Sequence, residues 1–125
     1  MISVQKVYYS AVLGWSLAIL FFTLSPEAPG SVPLIDLPHF DKVGHFGLFF
    51  ILAVLLYLAL KPFSKVFRVI FYLSYCAALG AATEYLQTRI PERNGDWLDF
   101  MADIAGSVVG FLIISYINFR YRGAN

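Results

Sequence analysis

The sequence predicts an all-α fold, a four-helix transmembrane bundle, on three observations. Of 125 residues 59% are apolar and only 14% charged, too little charge to cover the outside of a soluble domain. Four apolar stretches, 7–24, 43–60, 69–87 and 98–119, each approach the ~20 residues that cross ~30 Å of hydrocarbon as a helix. All 8 acidic residues sit in or beside two connections, so negative charge is confined to the ends of the apolar runs. A soluble all-helical protein with buried helices is the disfavoured alternative.

The first stretch follows Lys6 and contains no Asp, Glu, Lys or Arg. It is too long for a signal peptide core, and no small-residue cleavage site stands near 25–28, so it is expected to be retained. The next connection, 25–42, carries Pro26, Pro29, Pro33, Pro38 and Gly30, which prevent a regular helix. Its Val32, Leu34, Ile35 and Leu37 are expected to lie on the membrane surface or over the bundle mouth. Helix two then opens on Asp41-Lys42-Val43-Gly44-His45. The short turn Lys61-Pro62-Phe63-Ser64-Lys65 makes helices two and three antiparallel neighbours.

Helix three holds a small-residue patch, Ala77, Ala78, Gly80, Ala81 and Ala82, and the lone Cys76, which is expected to pack rather than react. Ile90-Pro91 is expected to end it. Helix four follows the turn Asn94-Gly95, with Asp96 as N-cap and Gly106 and Gly110 spaced for close helix approach. Residues 1–125 form one domain without internal repeats. Lys6, Lys61, Lys65, Arg68, Arg120 and Arg122 fall on one side of the bundle and Lys42, Arg89 and Arg93 on the other. That bias places both termini in the cytoplasm and the acidic side outward. No nucleic-acid partner is expected.

Charge within a bilayer is expensive, so acids that recur at one depth mark a candidate site. Asp96, Asp99, Asp103, Gly106 and Gly110 follow spacings of 3, 4, 3 and 4, which keeps them on one helix face. Capping explains Asp96 and Asp99 but leaves Asp103, about 10 Å further along at 1.5 Å per residue. Glu84 and Gln87 share a face with Gly80 on helix three. Glu84 lies about 9 Å inside the end at Ile90, a depth similar to that of Asp103. On helix two, Asp41, Lys42 and His45 can face the same groove. Five carboxylates (Asp41, Glu84, Asp96, Asp99, Asp103) then meet three fixed cations (Lys42, Arg89, Arg93) and His45. Burial of that surplus calls for a protonated acid, a recruited cation, or both. An amine, or Mg²⁺ carried with a lipid phosphate, suits it better than a bare phosphate. Arg93 is the natural fork for a carboxylate or phosphate.

The ordered set Asp41-Lys42-x-x-His45, Glu84-x-x-Gln87 and Arg93-x-x-Asp96-x-x-Asp99-x-x-x-Asp103-x-x-Gly106-x-x-x-Gly110 resembles the VanZ-like family of small bacterial membrane proteins. The match spans about two thirds of the chain; Asp103 departs from a pattern that often has Asn there. The family's namesake is linked to teicoplanin resistance. The resemblance therefore implies a multi-pass protein of the bacterial cytoplasmic membrane and an outward site, without fixing a reaction. The leading expectation is a non-catalytic envelope protein that binds a membrane lipid or amphiphilic cell-wall precursor. The site residues are Asp41, Lys42, His45, Glu84, Gln87, Arg93, Asp96, Asp99 and Asp103, with Gly80, Gly106 and Gly110 in helix packing. The alternative is a metal-dependent enzyme acting on a lipid phosphate or prenyl diphosphate, with Asp96, Asp99 and Asp103 as candidate ligands for a divalent cation such as Mg²⁺. A proton or ion relay and a purely structural polar network are further alternatives. No cofactor is otherwise implied, and the oligomeric state is not legible.

Overall fold

A computed structural model describes residues 3–25, 40–91 and 95–122. Its helices are α1 (Val4–Leu24), α2 (Phe40–Ala59), α3 (Lys65–Gln87) and α4 (Trp97–Arg122), with no strand among the described residues. All four are long and apolar enough to cross a membrane. The proline-rich connection, with Glu27, Asp36 and His39, lies outside the described residues, as do Glu92, Arg93 and Asn94.

Each helix starts one to four residues before the apolar stretch that announced it. Hydropathy marks the hydrocarbon, whereas a helix continues into the interface until a cap stops it. Ser3 caps α1 by accepting from the Lys6 N–H at 3.3 Å, and Ser64 caps α3 by accepting from the Phe67 N–H at 3.3 Å. At its far end α3 stops at Gln87, where its apolar stretch ends, three residues before Ile90-Pro91. There the Thr88, Arg89 and Ile90 N–H groups turn back onto the carbonyls of Glu84, Leu86 and Gln87 at 2.9–3.3 Å.

α2 is the central helix: 39% of its most apolar window is buried, against 17–22% for the others. Phe49, Leu52, Ala53 and Leu56 of α2 meet Ile19 of α1 and Tyr72 and Cys76 of α3 in the core. The lone cysteine is buried there, as a packing residue should be. Large apolar side chains such as Phe21, Ile70, Leu112 and Phe119 are exposed, which suits lipid.

α2 packs most extensively against α4, and two glycines allow it. A Cβ at Gly106 would overlap the Phe46 carbonyl oxygen, and one at Gly110 would lie 2.6 Å from that of Phe50. Without a hydrophobic drive in lipid, such backbone approach supplies the dispersion that holds helices together. The α3 patch behaves differently. Only Gly80 is buried, whereas Ala78, Ala81 and Ala82 are exposed. α1 is tied on by polar contacts: Trp15 Nε1 donates to the Leu48 carbonyl at 2.8 Å, the Gln5 amide to that of Ala59, and the Ser16 and Tyr75 hydroxyls pair at 2.8 Å.

Candidate functional site

The start of α2, the end of α3 and the start of α4 converge at one end of the bundle, and their polar side chains form two tiers. In the shallower tier, Lys42 Nζ donates to Asp96 Oδ2 at 2.8 Å, Asp99 Oδ1 at 2.8 Å and Asp41 Oδ2 at 3.2 Å. Asp96 immediately precedes α4, and its Oδ1 accepts from the Leu98 N–H at 2.8 Å. One carboxylate therefore caps the helix and anchors the lysine. Asp41, with 58% of its side chain exposed, marks the rim.

The second tier lies one turn deeper. His45 Nδ1 is hydrogen-bonded to Asp103 Oδ1 at 2.9 Å, and His45 Nε2 is 3.9 Å from Asp99 Oδ2. From α3, Glu84 Oε2 accepts from the Asp96 N–H at 2.8 Å. Because α3 ends at Gln87, Glu84 is about 4.5 Å inside that end, shallower than the sequence suggested. It still reaches Asp103: His45, Glu84 and Asp103 each present a ligand atom within 4.8 Å of the other two. Gly80 makes room for this tier, since a Cβ there would lie 3.1 Å from Asp103 Oδ2.

Two oxygens in this tier are buried and have no hydrogen-bond partner among the described residues, Glu84 Oε1 and Asp103 Oδ2. Asp103 is wholly buried, at 0% exposure. Five carboxylates here face Lys42 and His45, so the described cluster keeps the surplus of negative charge. Arg89 does not relieve it: its guanidinium rests 4.9 Å from the Tyr85 ring centroid and donates to the Tyr85 hydroxyl at 2.5 Å.

Beside the cluster, a cleft of about 410 Å³ opens between α3 and α4. Ala81, Tyr85, Trp97 and Phe100 supply apolar wall, and Glu84 and Asp96 stand at its edge. Trp97 and Tyr85 are 69% and 58% exposed, so the cleft is open at the outer surface of the bundle.

Of the expected site residues, the structure joins Asp41, Lys42, His45, Glu84, Asp96, Asp99 and Asp103. Gln87 is separate: its Nε2 donates to the Thr23 carbonyl at 2.9 Å and ties α3 to α1. Arg93 lies outside the described residues. The carboxylates of Asp96 and Asp99 clasp Lys42, and the group with converging ligand atoms is His45, Glu84 and Asp103, not the expected triad Asp96, Asp99 and Asp103. Sequence reasoning passed over Tyr85, Trp97 and Phe100 as site residues. It also passed over Thr83, buried beside the site with its hydroxyl on the Gly80 carbonyl at 2.7 Å. Trp97 and Phe100, an i, i+3 pair with rings tilted against each other at 5.3 Å, share one face of α4 and line the cleft.

No curated protein and no solved structure matches the chain. A protein-family model described as VanZ/LLP1 matches residues 4–118, which takes in α1 to α3, α4 as far as Asn118, and every residue of both tiers. This multi-pass membrane protein belongs to the VanZ/LLP1 family.

Proposed function

We propose that the protein binds the polar head of a membrane amphiphile, an envelope lipid or a lipid-linked cell-wall precursor, at the two-tier site. The amphiphile's chain would lie in the α3–α4 cleft. One observation carries this: carboxylate oxygens of Glu84 and Asp103, buried and without a hydrogen-bond partner among the described residues, stand next to an apolar cleft open at the bundle surface. Hydrocarbon would not enter a charged pocket, nor a free polar solute an apolar groove; a molecule with both parts fits both. The negative surplus selects a head with an amine, or a phosphate accompanied by a divalent cation. The lysine clasp supports a binding role, because it fixes Asp96 and Asp99 before any ligand arrives. With the orientation expected from the Lys and Arg distribution, the site opens to the outer leaflet, where such precursors are used and glycopeptides act.

Native mass spectrometry of the detergent-purified chain with envelope phospholipids and a polyprenyl-linked precursor tests this. Glu84→Gln and Asp103→Asn, each removing a charged hydrogen-bonding group, should weaken retention of the bound species about tenfold or more. Circular dichroism would confirm that each variant is folded. Retention unchanged in both folded variants would overturn the proposal.

A further inference from the structure

The carboxylates that Lys42 leaves unneutralised are those of the deeper tier. Among the described residues, fully buried Asp103 has no hydrogen-bond partner for Oδ2, and Glu84 brings a second buried oxygen without one, Oε1, to the same tier. The His45 imidazole completes a group whose ligand atoms all lie within 4.8 Å of one another. We infer that His45, Glu84 and Asp103 form a binding site for one first-row divalent cation, with Zn²⁺ the best match. An imidazole nitrogen with two carboxylate oxygens suits Zn²⁺ better than Mg²⁺ or Ca²⁺, which take oxygen ligands alone. Three protein ligands with an open position is also the pattern of a Zn²⁺ site accessible to an exogenous group.

The geometry needs little adjustment. Bonds of about 2.1 Å set tetrahedral ligands roughly 3.4 Å apart, so ligand atoms that lie within 4.8 Å of one another close by roughly 1.4 Å at most through side-chain rotation. His45 Nδ1 and Asp103 Oδ1 are already 2.9 Å apart, and the ion takes the place of the proton between them. Binding at Nδ1 leaves Nε2–H facing Asp99 Oδ2, 3.9 Å away and held by Lys42, as the outer carboxylate that orients a metal-bound imidazole. Starting from the imidazolium, whose two N–H groups face Asp103 and Asp99, the Nδ1 proton would leave to solvent as the ion binds while Nε2 keeps its own, a net release of one proton. None of this requires an amphiphile in the cleft.

The test uses the full chain in detergent, stripped with EDTA and titrated calorimetrically with Zn²⁺ alone, then with Co²⁺ as a visible-absorption probe. The expected results are one Zn²⁺ per chain, heat that varies with the buffer's ionisation enthalpy, and a Co²⁺ spectrum of low coordination number. Glu84→Gln and Asp103→Asn should each weaken Zn²⁺ binding about 100-fold or more. Lys61→Gln, at the opposite end, should not change it. If Asp103→Asn fails to fold, Glu84→Gln decides, because its amide oxygen can keep the bond from the Asp96 N–H. Absence of Zn²⁺ binding, the spectrum of hexa-aquo Co²⁺, or wild-type affinity in Glu84→Gln would overturn the inference. No lipid is added, so these outcomes leave amphiphile binding to its own test.

Discussion

Replacing Gly110 by alanine sets helix propensity against close packing, and the structure decides the sign. The added methyl would lie 2.6 Å from the Phe50 carbonyl oxygen and 3.0 Å from Ala53 Cβ. Ordinary contact begins near 3.4 Å, so α2 and α4 must part by about 0.8 Å at that point. The main obstacle is backbone, which has no rotamer to yield. Overpacking of this kind costs about 1–3 kcal/mol, whereas leaving glycine gains about 1 kcal/mol of helix propensity. A net loss of about 1 kcal/mol is expected for Gly110→Ala. Gly106→Ala should lose more, since its methyl would overlap the Phe46 carbonyl oxygen beside His45. Gly14→Ala has nothing within 4 Å and should be neutral or stabilising. SDS-titrated unfolding in mixed micelles, followed by far-UV circular dichroism, would rank the three. Wild-type stability in both Gly106→Ala and Gly110→Ala would refute the close α2–α4 approach on which the site's position rests.

Lys42→Gln leaves Asp96 and Asp99 without their shared cation and should cost about 2 kcal/mol in the same assay; Asp99→Asn added to it should recover part of that loss. Gln87→Leu removes the hydrogen bond to the Thr23 carbonyl that ties α3 to α1, and should lower stability by about 1 kcal/mol while leaving ligand binding near wild type. Cys76, at 1% exposure, should resist maleimide in folded micelles and react once SDS unfolds the chain; rapid labelling of the folded protein would contradict its burial. Green fluorescent protein fused to either terminus should fluoresce in bacteria if both termini are cytoplasmic, and a dark but expressed fusion would reverse the orientation.

The spans were legible because a soluble fold cannot hide four uninterrupted apolar runs of this length, yet helix starts were not. Ser3 and Ser64 act through single hydrogen bonds that hydropathy cannot register. The meeting of Glu84 and Asp103 was legible by counting depth on consecutive antiparallel helices. The count placed Glu84 too deep, since Thr88, and not Pro91, terminates α3. Gln87 shows the limit of helical periodicity. Three residues rotate it about 60° short of a full turn from Glu84, enough to face α1 instead of the cluster. The tight α2–α4 contact was not legible, because loop length identifies only neighbours in sequence. Without that contact, nothing predicted that Lys42 would take Asp96 and Asp99 and leave Asp103 to His45. The cleft was hidden for a similar reason: Trp97 and Phe100 look like ordinary lipid-facing aromatics until α3 is placed beside them.

A cryo-electron microscopy structure in nanodiscs of envelope lipid would examine the occupied site directly. Non-protein density between Glu84 and Asp103, continuing as a chain along Trp97 and Phe100, is the predicted result. An apolar chain in the cleft whose head stays at the surface, with both carboxylates still bare, would contradict it.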